Sequence, residues 1–154
     1  ICSKNCLSSV PFWSLAVSRY MLENLAKVQQ TEQGISVLLV DDEAHGLAAL
    51  MDVIQNMDNA MLCSGAKSVR EAIAIAEKNH VDILISDYHL GDGTGLDIST
   101  QLKLMHKTII VSADVAVKKI AEKMNIPFLM KPIVTTELET MIKEFSSKAN
   151  KEDK

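Results

Sequence analysis

Apolar residues from position 35 onward fall into two rhythms. Apolar runs at Ile35–Val40, Val81–Ser86, Thr108–Val111 and Ile126–Met130 read as strands, the first of them continuous and so buried on both faces. Ala60–Ser64 is a shorter run in the second strand position. Between these runs the apolar residues recur at helical spacing. Ala44–Asn56 puts Leu47, Leu50, Met51 and Ile54 on one face. Ser68-Val69-Arg70-Glu71 is a capping box, and it opens a helix whose inner face is Val69, Ala72, Ile73 and Ala76. Gly95–Met105 and Val115–Met124 read as the third and fourth helices. A second box, Thr136 to Glu139, opens a last helix that runs to about Ser147. Strand and helix alternating in this way predict an α/β domain over residues 35–148. Its sheet is parallel, with right-handed crossovers and helices on both faces.

Residues 1–34 carry a different pattern. Phe12, Leu15, Ala16, Leu22 and Ala26 share one helical stripe, and Trp13, Val17, Met21, Leu25 and Val28 share another. A helix apolar on two sides needs a partner. This segment reads as a helical connector, and Gln29–Gly34 reads as a linker. Residues 149–154 read as a frayed, charged tail. Ile1 is not a start methionine, so the chain is expected to be a piece of a longer one.

Charge narrows the function classes. A net charge of −4 and the lack of a basic block argue against a nucleic-acid surface. The longest N-terminal apolar stretch, Val10–Val17, is too short to span a bilayer. Three cysteines, Cys2, Cys6 and Cys63, read as reduced thiols of a cytoplasmic protein, and Cys2 and Cys6 lack a second ligand pair for zinc. A dinucleotide-binding half is the runner-up architecture. The first strand is followed by Asp41-Asp42-Glu43 rather than by glycines, and an acidic turn repels a pyrophosphate. No small-molecule cofactor is expected.

The candidate chemistry sits where the apolar runs end. Asp41-Asp42 follows the first, Asp87 the third, Ser112 the fourth and Lys131 the fifth. Open parallel sheets gather such positions on one edge. Taken singly, each acid reads as a helix cap, Ser112 as a turn hydroxyl and Lys131 as a solvated amine. Their recurrence at equivalent strand ends makes the joint reading the stronger one. Three carboxylates at one point repel unless a cation lies among them, and hard oxygen donors suit Mg²⁺. Asp42 and Asp87 are the expected direct ligands, with Asp41 in support. Asp87 beside the metal is a candidate nucleophile toward phosphorus, with Lys131 and Ser112 to bind phosphoryl oxygens.

These residues resemble the receiver domain of two-component response regulators. The motifs are Val40-Asp41-Asp42-Glu43, Ile85-Ser86-Asp87-Tyr88-His89-Leu90 with Gly95, Val111-Ser112-Ala113, and Phe128-Leu129-Met130-Lys131-Pro132. The resemblance implies a flavodoxin-like, doubly wound five-stranded sheet. Its strand order 2-1-3-4-5 comes with the family and not from the periodicity. It implies phosphoryl transfer from a histidine kinase or histidine phosphotransfer protein onto Asp87 with Mg²⁺. It makes the His89 backbone carbonyl a third metal ligand and pairs Ser112 with Phe128 as the switch residues. It also implies a cis Lys131–Pro132 peptide. The stretch from Asp87 to Asp97 is most like the C-terminal receiver of a hybrid sensor histidine kinase, which would make this the cytoplasmic part of a membrane-bound sensor and the segment before Gln29 the end of a kinase domain or a connector helix. The chain ending at Lys154 without a DNA-binding domain fits that expectation.

Three features depart from the family. Gly91 stands where proline is common, predicting a looser loop. The stretch from Ser112 to Lys131 is short, and Phe128 lacks the hydroxyl of the commoner tyrosine. A partner surface is expected on the first helix, around His45, Leu47, Ala48 and Met51, because a donor histidine must approach over the metal edge. Leu47 and Met51 also fit the sheet-facing side, which would leave only the exposed subset to bind. A stand-alone receiver is the alternative context. An aspartyl-phosphate phosphatase of the haloacid-dehalogenase type is a weaker one, since its nucleophile would follow the first strand.

Overall fold

The computed structural model describes Met21, residues 34–57 and residues 61–152. Of the N-terminal stripes only Met21 lies within them, helical and exposed; Cys2, Cys6 and Ala60 fall outside. Residues Ile35–Lys154 form one compact unit, distinct from Ile1–Gly34. The strands of its main sheet are β1 (Ser36–Val40), β2 (Leu62–Ala66), β3 (Ile83–Asp87), β4 (Thr108–Ser112) and β5 (Phe128–Met130). The helices are α1 (Ala44–Met57), α2 (Val69–Lys78), α3 (Gly95–Gln101), α4 (Val115–Lys123) and α5 (Thr135–Glu152). All sheet pairings are parallel, in the order β2-β1-β3-β4-β5, which is the expected flavodoxin-like arrangement.

Side chains alternate across a strand, and that alternation builds the layers. Val37, Leu39, Ile83, Ile85, Ile109, Val111 and Leu129 share one core with Leu47 and Ile54 of α1 and Leu138 and Ile142 of α5. Leu38, Val40 and Leu84 share the opposite core with Ala72 of α2 and Ile98 of α3. Ile110 packs with Val117 and Ala121 of α4. The inner strands β1, β3 and β4 are therefore apolar on both faces.

Several element ends differ from expectation. The second strand lies at Leu62–Ala66 rather than Ala60–Ser64. It is an edge strand, so the register against Ser36–Val40 sets its extent rather than its own apolar run. The third helix stops at Gln101 rather than Met105. Lys103 turns left-handed (φ 58°), and the amides of Lys103 and Leu104 close on the carbonyls of Thr100 and Ser99. This is a glycine-type helix stop with a lysine in it, so no glycine marked it. On α2, Ile75 rather than Ile73 joins the core cluster with Val69 and Ala76. The last helix starts at Thr135, which puts Thr136 inside the first turn, and it continues to Glu152. No Gly or Pro interrupts Lys148–Glu152 to stop it. Among the described residues no helix is long and apolar enough to cross a membrane.

Candidate functional site

The C-terminal ends of the strands lie along one sheet edge, and the alternation decides which side chains meet there. Asp41, Asp87 and Lys131 continue the odd-numbered register of Leu39, Ile85 and Leu129, so all three emerge on the α1/α5 side. Lys131 Nζ donates to Asp87 Oδ2 at 2.8 Å and to Asp41 Oδ2 at 3.1 Å. Asp41 Oδ1 accepts the Glu43 amide at 2.9 Å, and the Asp41 amide donates to Ala66 O. Asp41 is buried, Asp87 half-buried and Asp42 exposed. One carboxylate oxygen from each of the three lies within 4.8 Å of the others.

The charge at this edge is unbalanced. Three carboxylates face one ammonium, which leaves an excess of two negative charges. Burial pulls the Lys131 pKa down, but hydrogen bonds and Coulomb attraction from Asp87 and Asp41 outweigh it, so the net shift is upward from 10.5. A raised lysine pKa stabilises the fold fully below the ordinary value and fades as pH rises through the folded value. Lys131→Met should therefore destabilise the protein at pH 7 and matter progressively less in strongly alkaline solution. A stability difference between the two proteins that grows with pH above 10.5 would contradict this. The all-oxygen donor set, with its surplus negative charge, fits Mg²⁺. Asp42 and Asp87 have room to be direct ligands. Both Asp41 oxygens already accept hydrogen bonds, which suits it to orienting a metal-bound water.

Ser112 ends β4 one residue beyond Val111, the register partner of Asp87. It is buried; its Oγ accepts the Asp114 amide at 3.2 Å and retains its own O–H to donate. The Lys131 amide donates to Ser112 O, tying the two motifs together, and the Lys131–Pro132 peptide is cis. Phe128 pairs with Ile110 and packs, half-buried, in the α4 cluster. The His89 side chain is exposed, with Nε2 3.7 Å from Asp114 Oδ2.

Two features of the Asp87 loop escaped the apolar pattern. His89–Leu90 and Gly93–Thr94 form a small antiparallel ladder, so the loop is a pinned hairpin despite Gly91. Thr94 caps α3 and shares a reciprocal capping box with Asp97, a Thr-x-x-Asp signal that was available in the sequence. Gly95 is required by close approach. A Cβ there would lie 2.7 Å from both Asp87 O and Ser86 Oγ. Gly95→Ala should cost about 1–3 kcal/mol by overpacking, read from urea denaturation. An unchanged midpoint would mean the loop yields freely.

The expected partner surface is only partly a surface. His45 and Ala48 are exposed, whereas Leu47 is buried in the core and Met51 is half-buried against it. The helical stripe that packs on the sheet claims both. Beside α1, Ala49, Leu50 and Val53 instead line an apolar groove of about 270 Å³ with Ile133, and Asp41 and Lys131 line it too.

Comparison with known proteins settles the family. Residues 37–143 match the family model of the response regulator receiver domain. The chain belongs to that family. Among curated relatives, the transcriptional regulatory protein BtsR of Salmonella typhi is 29% identical over 122 residues, covering 77% of this chain and 51% of that protein. Its counterpart in Salmonella typhimurium is 28% identical over the same length. The chain thus spans about half the length of the curated relatives it matches. The fold is that of solved receivers. The signal receiver domain of an HD domain-containing protein from Pseudomonas fluorescens Pf-5 aligns with TM-score 0.68 at 21% identity, covering 79% of this chain and 93% of that one. The chemotaxis protein CheY4 of Vibrio cholerae aligns with TM-score 0.63 at 20% identity, covering 73% and 98%.

Proposed function

We propose that this receiver accepts a phosphoryl group from phosphohistidine onto Asp87 in a two-component phosphorelay, with Mg²⁺ held by Asp42, Asp87 and the His89 carbonyl and supported by Asp41. The observation that carries the reading is the Lys131 ammonium held between Asp41 and Asp87, with Asp42 completing the acidic cluster. The bond that breaks joins phosphorus to an imidazole nitrogen. The bond that forms joins phosphorus to an Asp87 oxygen, and the imidazole leaves with the electron pair. Mg²⁺, when bound, neutralises charge on the phosphoryl oxygens. Lys131 is placed to follow charge from the Asp87 carboxylate to the new phosphoryl group, and the Ser112 O–H is free to donate to it. Ser112 and Phe128 then form the switch pair. A labelled histidine phosphotransfer protein should lose its phosphate to this chain when Mg²⁺ is present. Label that stays on the donor, together with failure of small phosphodonors, would contradict the reading.

The partner approaches over α1 and the groove beside it. His45 and Ala48 are exposed at the metal edge, and Leu50, Val53 and Ile133 offer apolar area for a helix bundle to bury. Adding negative charge with His45→Glu and Ala48→Glu should slow transfer from a protein donor roughly tenfold, the scale of a lost apolar contact. Labelling by acetyl phosphate should stay at the wild-type rate. Equal slowing of both reactions would place the damage in the site rather than in docking.

For the parent protein, the Asp87–Asp97 stretch favours the C-terminal receiver of a hybrid sensor histidine kinase, with residues 1–34 as its connector and a cytoplasmic location. The name of the curated relatives favours a transcriptional regulator instead. On either reading the acidic receiver itself does not contact nucleic acid. A histidine-kinase core in the gene upstream of Ile1 would decide for the first; a DNA-binding domain downstream of Lys154 would decide for the second.

A further inference from the structure

The tip of the Asp87 hairpin is bonded to a different helix. The Asp92 carboxylate accepts the Val69 amide at 2.8 Å and the Arg70 amide at 3.0 Å, the first two free donors of α2. Beside it, a Cβ on Gly93 would lie 3.1 Å from Val69 Cγ2, so the hairpin also packs directly on that helix start. The helix does not need Asp92 for a cap of its own. Ser68 Oγ accepts the Glu71 amide, and Glu71 Oε2 accepts the Lys67 amide. The remaining amides at an exposed helix start are satisfied by water at little cost. A carboxylate brought from more than twenty residues away therefore does more for the hairpin than for the helix. Gly91, next to it, has nothing within 4 Å where a Cβ would point, so the neighbouring residue contributes no packing to hold the tip.

The hairpin holds an expected metal ligand. Tyr88 is tied at one end through its amide to Val111 O and through its carbonyl to Gly95 N. His89, the next residue, is in the ladder that Asp92 pins from the other end. We propose that Asp92 is a positioning residue: by clamping the hairpin tip to the start of α2, it holds the His89 carbonyl where it can ligate Mg²⁺. This rests on the Mg²⁺ reading of the Asp41–Asp42–Asp87 cluster. Coupling of this kind is reciprocal, so bound Mg²⁺ should also tighten the clamp.

Four variants and three readouts test it. Asp92→Ala should raise the Mg²⁺ dissociation constant about tenfold by titration calorimetry, the scale seen when a group that orients a metal ligand is removed. Asp92→Asn, which keeps one acceptor oxygen, should fall between Asp92→Ala and wild type, and it serves if the alanine variant fails to fold. Ser68→Ala removes the helix's own cap; it should lower the urea midpoint yet leave the Mg²⁺ constant within about twofold. In wild type, Mg²⁺ should slow hydrogen exchange at the Val69 and Arg70 amides, and Asp92→Ala should abolish that slowing. Wild-type Mg²⁺ affinity in both Asp92 variants, or an equal loss of affinity in Ser68→Ala, would overturn the clamp. Unchanged affinity in Asp42→Ala would instead overturn the Mg²⁺ reading beneath it.

Discussion

Asp87→Asn should abolish phosphorylation while leaving the fold intact. The amide is nearly isosteric with the carboxylate, and its oxygen can still accept from Lys131 Nζ, as Asp87 Oδ2 does at 2.8 Å. Asp41 continues to pair with the ammonium at 3.1 Å. What disappears is the anionic oxygen that forms the bond to phosphorus, and no neighbour replaces it in position. Asp42 is exposed and Asp41 already has both oxygens engaged. Wild type incubated with acetyl phosphate and Mg²⁺ should gain one phosphate per chain, labile to acid and to hydroxylamine as an acyl phosphate is. The variant should gain none, with a urea midpoint close to that of wild type. Phosphate on the variant at the wild-type level would remove Asp87 from its role.

Asp42→Ala should separate two effects that the acidic cluster combines. Three carboxylate oxygens within 4.8 Å repel one another, and the Lys131 ammonium reaches only Asp41 and Asp87. Among the described residues Asp42 has no cation of its own there, and it is exposed, so its removal should stabilise the metal-free protein by roughly 0.5–1 kcal/mol. The same change deletes a direct ligand and should weaken Mg²⁺ binding by about tenfold or more. Wild type in Mg²⁺ at about a hundred times its dissociation constant gains about 2.7 kcal/mol of stability by linkage, and a tenfold weaker variant should forfeit about half of that gain. Denaturation with and without Mg²⁺ reads both effects. A variant less stable without metal, or equally stabilised by it, would refute the balance of charges described here.

The apolar rhythm carried the architecture because buried parallel strands and amphipathic helices announce themselves by period. The core residues Val37, Leu39, Ile83, Ile85, Ile109 and Val111 all stood in the runs read as strands. Element ends were less legible. The stop after Gln101 depends on Lys103 adopting φ 58°, a conformation that Gly or Asn advertises and lysine does not. The bounds of β2 depend on its partner strand. Leu47 and Met51 could be read as surface because one helical stripe, seen without its neighbours, does not say where the sheet lies.

Residue types along the chain set what ends each strand, and so which carboxylates, hydroxyl and amine share one edge of the sheet. Parallel topology requires that convergence, because every strand runs the same way. Tertiary structure alone decided how those groups divide the charge. Lys131 bridges Asp41 and Asp87 but not Asp42, a distribution set by distances of 2.8 and 3.1 Å across residues far apart in the chain. Tertiary structure alone also brought Asp92 to the first amides of α2. No local pattern encodes that contact, since neither the hairpin nor the helix requires the other until the sheet places them side by side.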